Sequence, residues 1–234
     1  GRGRGRFMKT GAREKILQAL REQTYDLKSP GPVRKEDLGL SELPGLFKAM
    51  EQLGREIENV GGVFVKVSGV EQLRQAVLDL VRGQEIAAAV CWDHRSLGTY
   101  GLEETLAQAG VQVLESPEPG EGYCAMAARA ELGVTGCLAA VVESGTLVVV
   151  AGPGMERSTS LLPPVHLAVL SPETTLLPRI ADLGVWVDGL ASQGLPSAVH
   201  CISGPSSTAD IELVKVVGVH GPVTLFVLAV MPEA

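Results

Sequence analysis

Aromatic side chains are scarce in this sequence, and the local residue patterns of common cofactor sites are missing. Phe, Trp and Tyr make up 4% of the 234 residues, so the core must consist mainly of Val, Leu, Ala and Ile. That composition suits buried parallel strands covered by helices. The four cysteines lie far apart, without the C-x-x-C pair of zinc, redox or iron–sulfur sites, and the four histidines lack metal-ligand spacing. We therefore expect mostly buried thiols in a reducing cytoplasm, and no metal or other cofactor in this chain.

Clustered positive charge is missing as well. The formal net charge is −7, which argues against nucleic acid as a partner because phosphate binding needs grouped Lys and Arg. The one basic run, residues 1–6, precedes Met8 and indicates an upstream extension or an expression remnant. The longest nearly uncharged stretch, residues 132–150, contains Glu143 and several glycines and divides into β-like runs. It predicts no membrane span, and no secretory signal is expected.

Hydrophobic periodicity and turn residues divide the chain into three parts. Apolar residues fall on one face between Met8 and Gln23, which predicts an amphipathic helix that packs as an N-terminal helical arm. Proline and glycine then mark residues 24–44 as an irregular linker. The three parts are an extension at 1–7, the helix and linker at 8–45, and one α/β domain at 46–234.

Strand-like and helix-like segments alternate through the domain. Predicted helices cover 46–57, 70–81, 102–109, 123–131 and 178–190, and predicted strands cover 63–67, 86–90, 111–114, 138–142, 147–150, 165–170, 199–202 and 225–230. This alternation predicts an α/β fold whose mainly parallel sheet has helices on both faces. The runs 138–142 and 147–150 are separated by a short turn, which predicts a β-hairpin.

A loop of small and hydroxyl residues follows the predicted strand 199–202. After Ser203 it contains Gly204, Pro205, Ser206, Ser207, Thr208 and Asp210. At the carboxyl end of a parallel strand, such a loop lets backbone N–H groups approach a phosphate or carboxylate. The alternative is a helix cap after a turn, because Ser207 and Asp210 have capping-box spacing. No Walker lysine follows, so the loop is not a P-loop.

The hairpin turn brings a carboxylate next to glycine. Glu143 is followed by Ser144, Gly145 and Thr146. A carboxylate beside a preorganised glycine backbone can attack an acyl carbon or accept a proton, so Glu143 is a candidate catalytic residue, with Gly145 and Thr146 as candidate ligand contacts. The alternative is a solvated hairpin residue without chemical function.

Two further segments combine charge with histidine. Arg157 precedes several hydroxyl residues and a proline break that leads to His166. Arginine offers a planar fork to a carboxylate and histidine titrates near neutrality, so the pair could hold and protonate a small acid. Alternatively, Arg157 forms a surface ion pair and His166 is a half-buried strand residue. His220 lies in a turn and belongs to the site only if it converges with the other loops.

Four blocks of the sequence together resemble one family. Glu143-Ser-Gly-Thr-Leu-Val, Leu162-Pro-Pro-Val-His, Gly204-Pro-Ser-Ser-Thr-Ala-Asp-Ile-Glu and Gly218-Val-His-Gly-Pro occur in the order typical of the lactate-utilization protein C (LUD-domain) family. The resemblance is strongest over residues 125–230. At Ser207 the family usually has Arg or Lys, and the missing cation weakens an electrostatic hold on phosphate.

The resemblance implies a fold like that of the glucosamine-6-phosphate isomerase, ribose-5-phosphate isomerase and CoA-transferase group. It also implies membership in a three-component system that oxidises L-lactate to pyruvate. The other two components carry the iron–sulfur motifs, and this chain resembles the cluster-free one. Its partners would then be the iron–sulfur subunits and a small carboxylate or phosphate ligand.

Three functions remain open at this stage, and whether the chain is itself an enzyme is among the open points. In the first, a cytoplasmic subunit binds a small anion in a cleft where Arg157 and the backbone of 204–208 hold the anion and Glu143 or His166 handles protons. In the second, an interaction module stabilises the iron–sulfur partners without chemistry. In the third, the chain is an enzyme like the CoA-transferases or sugar-phosphate isomerases.

Overall fold

The computed structural model describes residues 40–93, 95–117, 120–191, 196–209, 215–218 and 221–232. These residues form two larger β-sheets and one two-stranded sheet. Its strands are β1 (Val63–Ser68), β2 (Ala88–Cys91), β3 (Gln112–Val113), β4 (Leu132–Gly136), β5 (Ala139–Val141), β6 (Thr146–Ala151), β7 (Val165–Leu170), β8 (Thr175–Leu177), β9 (Ala198–Ile202), β10 (Ser207–Ala209), β11 (Lys215–Val217) and β12 (Thr224–Met231). Its helices are α1 (Leu46–Asn59), α2 (Gly69–Gly83), α3 (Arg95–Gly98), α4 (Leu102–Gln108), α5 (Tyr123–Ala127) and α6 (Ile180–Ala191), with a 3-10 helix at Arg157–Ser160.

The first sheet has six strands in the order β1-β12-β7-β4-β2-β3, and every neighbouring pair runs parallel. Its central strands β4 and β7 are buried along their whole length, as expected for parallel strands covered on both sides. The predicted α/β fold with a mainly parallel sheet is confirmed.

Helices cover this sheet on both faces, as predicted. Successive residues of a strand point to opposite faces. On β2, Ala89 belongs to the main core with Leu73 of α2 and Leu106 of α4, whereas Val90 belongs to a separate cluster with Met126 of α5. The two clusters therefore lie on opposite faces of one strand.

The second sheet has four strands in the order β8-β5-β6-β9. β5 and β6 form the predicted antiparallel hairpin, β9 pairs antiparallel with β6, and β8 pairs parallel with β5. β4 leads directly into β5, and β7 leads into β8. At the crossing the backbone N–H of Cys137 donates to Val169 O, and Cys137 O accepts a hydrogen bond from Thr174 Oγ1.

Residues 132–150, the longest nearly uncharged stretch, are divided among β4, β5 and β6. Within the described ranges, no helix is both long and apolar enough to cross a membrane.

The linker ends on helix α6. Ser41 donates from its backbone N and its Oγ to Asp182 Oδ1 at 3.2 and 3.0 Å, and Arg179 N donates to Asp182 Oδ2 at 2.9 Å. Burial alone would raise the pKa of Asp182, but these hydrogen bonds and the Arg179 charge outweigh it, so the pKa is lowered. Helix 46–57 is confirmed as α1, whereas the predicted helical arm at 8–23 lies outside the described residues.

Three local predictions were wrong. Residues 207–209 form strand β10, paired antiparallel with β11, so the hydroxyl loop does not cap a helix there. Strand β9, which precedes that loop, belongs to the second sheet and is antiparallel to its neighbour. The thiols are also not mostly buried, since Cys137 is buried and Cys91 half-buried but Cys124 and Cys201 are exposed.

Candidate functional site

Several turns gather at the amino-terminal edge of the parallel sheet. Gly62 precedes β1, Pro164 precedes β7 and Val223 precedes β12, so all three mark the same edge. Val223 N donates to Pro164 O at 2.8 Å. The hairpin turn 143–146 and the loop 203–206 both pack against the carboxyl end of α1, which leads into β1 at this edge, and we call them the amino-edge turns. The sequence predicted the opposite, carboxyl edge for the hydroxyl loop.

Close backbone contact with α1 fixes both amino-edge turns. Gly145 has φ +64°, and an added Cβ would lie 2.7 Å from the backbone of Glu56 and Ile57. Gly204 has φ +79°, and its added Cβ would lie 2.8 Å from Val60 O. Only glycine fits both the positive φ and the close approach. These glycines therefore bring the two turns against one end of the same helix.

Three hydroxyl side chains connect the amino-edge turns. Thr146 Oγ1 lies 2.7 Å from Ser144 Oγ and 2.8 Å from Ser203 Oγ. Thr146 is buried, whereas Ser203 is exposed at the outer end of this chain of hydrogen bonds. Register explains the meeting, because Leu147 of β6 pairs with Ile202 of β9. We call Ser144, Thr146 and Ser203 the hydroxyl cluster.

Glu143 lies on the outer side of the hairpin turn and is bonded to a helix. Its Oε1 accepts a hydrogen bond from Ile180 N, the first residue of α6, at 2.6 Å, while its own N–H donates to Pro178 O. A carboxylate at a helix N-terminus satisfies an otherwise free N–H and interacts favourably with the helix dipole. Glu143 is therefore exposed to solvent, but its carboxylate already accepts a hydrogen bond from the first residue of α6.

Part of the backbone of the hydroxyl loop is paired within the protein. Ser206 N donates to Pro222 O and Ser206 O accepts from Gly218 N, each at 2.9 Å. Pro205 is half-buried and lies near Gly61. Ser207 and Thr208 continue into β10. The Ser206 N–H therefore has a partner already, and the candidates Asp210 and His220 lie outside the described residues.

His166 lies in the core on β7. It is 1% exposed, and its Nε2 lies 2.8 Å from Thr135 Oγ1. Within the described residues its Nδ1 has no partner. Burial lowers the pKa of His166 to about 4, because the charged form would lose its hydration. At neutral pH the ring is uncharged.

Arg157 lies elsewhere, on the wall of a surface cavity of about 620 Å³. We call this the Arg157 cavity. Its lining comes from three separate segments: Tyr123 and Cys124; Ala151, Gly152, Met155, Glu156, Arg157, Ser158, Leu161 and Leu162; and Ser197 and Ala198. Arg157 is exposed at the start of the 3-10 helix. It is therefore accessible to a ligand in the cavity.

Two hydrogen bonds connect lining residues of this cavity to buried side chains behind them. Trp92 Nε1 donates to Glu156 O at 3.1 Å, and the Tyr123 hydroxyl lies 3.0 Å from Thr159 Oγ1. Burial first, and then the positive charge of Arg157, lower the pKa of His200 on β9. The Arg157 charge thus acts on a neighbouring imidazole and favours its neutral form.

The structure groups some predicted site residues and separates others. Glu143, Gly145 and Thr146 lie with Gly204 at the amino-edge turns. Arg157 lines a cavity at the other end of the β6–β9 pair, where Ala151 faces Ala198. Five residues along a strand separate these ends by roughly 17 Å. This spacing separates the Ala151 side of the cavity from the hairpin turn, whereas Leu161 of the cavity wall and Ser206 of the hydroxyl loop both lie beside Gly221.

The sequence missed most of the cavity residues. Tyr123, Cys124 and Leu162 line the cavity but were not predicted as site residues. Only the segment around Arg157 could be recognised from its composition, because it combines an arginine with hydroxyl residues and a proline break. The other two segments join it through tertiary packing.

A smaller cavity of about 110 Å³ lies where the chain leaves β2, beside Val134 in the middle of β4. Cys91, Asp93 and Glu103 are among its lining residues. Burial, followed by the charges of Glu104, Glu115 and Asp93, raises the pKa of Glu103. Among the described residues, no group of three or more His, Cys, Asp or Glu side chains is arranged to hold a metal ion.

Known proteins match this chain in sequence and in fold. The LUD domain matches residues 50–230. A Halalkalibacterium halodurans protein named Lactate utilization protein C is 37% identical over 161 residues, which cover 68% of this chain and 69% of that protein. The Escherichia coli protein YkgG is 43% identical over 125 residues, which cover 53% of this chain and 54% of YkgG. A crystal structure of a DUF162 family protein from Deinococcus radiodurans has a TM-score of 0.56 at 22% identity, covering 79% of this chain and 98% of that one, and shows a shared fold.

Proposed function

The chain belongs to the LUD-domain family, and on that premise we propose that it is the cluster-free component of a cytoplasmic system that oxidises L-lactate to pyruvate. Relatives named Lactate utilization protein C support the role in lactate utilization. In this proposal the iron–sulfur clusters belong to partner subunits. The chain itself binds the small carboxylate.

The Arg157 cavity is the proposed place for that carboxylate. The observation that carries this choice is an exposed guanidinium on the wall of a cavity large enough for a ligand. Arginine binds carboxylates through two parallel hydrogen bonds. The amino-edge turns offer less, because Glu143 is bonded to Ile180 and Ser206 N–H to Pro222.

Calorimetric titration with L-lactate and pyruvate tests the ligand and its place. Arg157→Ala should weaken binding by roughly 10- to 100-fold, the cost of a lost charge-assisted hydrogen bond. Glu143→Gln should bind as the unchanged protein does, because its carboxylate lies at the other end of the β6–β9 pair. If Glu143→Gln loses binding and Arg157→Ala keeps it, the ligand belongs at the amino-edge turns. If the unchanged protein binds neither acid, the ligand part of the proposal fails.

Affinity capture tests the proposed partners. The full chain should capture proteins that contain iron and acid-labile sulfide from a strain grown on lactate. Deleting residues 8–23, the predicted amphipathic arm, should abolish that capture while lactate binding persists. Capture that survives the deletion would rule out the arm as the docking segment. Absence of iron–sulfur proteins with the full chain would contradict the multi-subunit proposal.

A further inference from the structure

The Arg157 cavity is too large for lactate alone. Lactate has six non-hydrogen atoms, and at roughly 30 Å³ for each, the share of a water molecule in the liquid, it would fill at most about 180 Å³. The cavity measures about 620 Å³, within the roughly 300–1,000 Å³ range of sites for larger organic ligands. Most of the cavity would remain filled with water around a three-carbon acid.

The lining divides into an ionic part and an apolar part. Glu156 and Arg157, adjacent in sequence, supply opposite charges. Leu161 and Leu162 are apolar residues of the lining, Leu161 half-buried and Leu162 44% exposed, whereas Met155 behind them is fully buried. An exposed large apolar side chain on a cavity wall gains free energy when a ligand covers it. The apolar part therefore favours a ligand that carries a hydrocarbon group.

The ionic part restricts the polar end of the ligand. Arg157 has five N–H donors and no acceptor, so it favours an anionic acceptor group such as a carboxylate. An ionised Glu156 only accepts hydrogen bonds, so a ligand group beside it must donate one. A carboxylate next to a hydroxyl meets both requirements on one small head group. A 2-oxo acid has the carboxylate but no such donor.

Resting on the lactate-binding role proposed above, we infer that the Arg157 cavity binds 2-hydroxy acids whose side chain is larger than the methyl group of lactate. The carboxylate contacts Arg157, the hydroxyl donates to Glu156, and the side chain covers Leu161 and Leu162. The ligand class is thus defined by three adjoining parts of one cavity.

A homologous series measures the apolar part. Lactate, 2-hydroxybutyrate and 2-hydroxyisocaproate should bind with affinity that rises roughly three- to fourfold for each added methylene, the value for hydrocarbon leaving water. Leu162→Ala should remove most of this gain. Val185→Ala is the matched control, since Val185 is an exposed residue of α6 that does not line the cavity. Equal affinities along the series would overturn the inference and leave the lactate-binding proposal intact.

Removal of the hydroxyl measures the ionic part. 4-Methylpentanoate is 2-hydroxyisocaproate without its hydroxyl. It should bind about tenfold more weakly, because it has no hydroxyl to donate a hydrogen bond to Glu156. Glu156→Leu should make the two acids bind equally. Equal binding to the unchanged protein would overturn the hydroxyl contact. If no acid of either kind binds, both this inference and the ligand part of the proposed function fail. Tight binding of 2-hydroxyisocaproate without detectable lactate binding would overturn only the proposal that the chain binds lactate.

Cys124 provides an independent report on where these acids bind. It is exposed and lines the cavity. Burial raises the pKa of both Cys91 and Cys137 to about 12, with Glu103 adding to the shift at Cys91, so these thiols react slowly. In a Cys201→Ser background, saturating 2-hydroxyisocaproate should slow labelling of Cys124 by a disulfide reagent at least fivefold. An unchanged rate at saturation would place the acid elsewhere and overturn the inference.

Discussion

The amino-edge turns and the Arg157 cavity differ in what their side chains already contact. At the amino-edge turns, glycine backbones touch α1, Thr146 is bonded on both sides and Glu143 is bonded to a helix N-terminus. At the cavity, Arg157 and Cys124 are exposed and Leu162 is 44% exposed. The hairpin turn and the hydroxyl loop, which belong to two of the family blocks, are thus paired within the protein, whereas Leu162, the first residue of a third block, borders the cavity. A family motif can therefore mark a structural junction as readily as a ligand site.

The largest effect on stability should come from a substitution at the hairpin glycine. Gly145→Ala should lower the free energy of unfolding by about 2 to 4 kcal/mol, because the added Cβ meets the α1 backbone at a positive φ. Gly184→Ala in α6 is the control. Its Cβ would meet nothing within 4 Å, so helix propensity predicts a small gain of about 0.5–1 kcal/mol. Urea unfolding measures both, and similar stabilities would show that the turn is free to adjust.

The second effect concerns His166, a motif residue in the core. Its folded pKa is about 4, below the usual value of 6.5, so the unfolded chain binds a proton that the folded chain does not. The free energy of unfolding should therefore fall as the pH decreases from 6.5 to 4, by on the order of 3 kcal/mol. The contribution is complete above pH 6.5 and gone below pH 4. The lowered pKa of Asp182 acts in a separate window, because its stabilisation is lost only as the pH falls below 3.8.

Urea unfolding at several pH values checks this expectation. His166→Gln should be less stable at neutral pH and should show a flatter dependence between pH 6.5 and 4. A variant with the same slope as the unchanged protein would show that the imidazole is hydrated in the folded state.

A smaller effect is expected in the hydroxyl cluster. Thr146→Val keeps the shape of the side chain but removes the oxygen that joins Ser144 to Ser203. Because Ser203 is exposed and its hydroxyl can be hydrated by water instead, the loss should be about 1 kcal/mol. Thermal unfolding measures it, with Thr105→Val on α4 as a comparison that removes one hydrogen bond, to Gly101 O. A loss above that of Gly145→Ala would reverse the order of importance within the amino-edge turns.

The smallest effect on stability should come from the cavity. Arg157→Ala should change the free energy of unfolding by no more than about 0.5 kcal/mol, as expected for an exposed side chain. The same variant should lose ligand binding. A large loss of stability would show that Arg157 supports the 3-10 helix and would remove the contrast between the two regions.

Much of the fold was predictable because the ends of the apolar runs in the sequence coincide with the ends of the strands. The run Val165–Leu170 matches β7 residue for residue, and the hairpin follows from two apolar runs around a glycine turn. Strand β4 was missed because Gly133 and Gly136 interrupt its apolar run. Gly133 is there because an added Cβ would collide with Thr159 O of the 3-10 helix above it. That reason exists only in three dimensions.

The candidate site was less predictable, since composition does not say which donors are already paired. The Ser206 N–H looked free to bind an anion, but it is bonded to Pro222 O. Sequence order also placed Arg157 and Glu143 in one cleft, whereas the cavity that Arg157 lines includes Ala151 and Ala198, at the far end of β6 and β9 from the hairpin turn. Cavity walls built from three distant segments have no local signature.

The chain passes from the first sheet to the second at two places, between β4 and β5 and between β7 and β8, and this connectivity affects how the two sheets can separate. β4 and β7 are neighbours in one sheet, and their continuations β5 and β8 are neighbours in the other. Separating the sheets would strain two covalent junctions at once and break the bonds that hold Cys137 to Val169 and Thr174. Amide hydrogens of β5 and β7 should therefore exchange with solvent through one shared opening event at similar rates. A sheet that exchanged tens of times faster than its neighbour would mean that the junctions act as hinges.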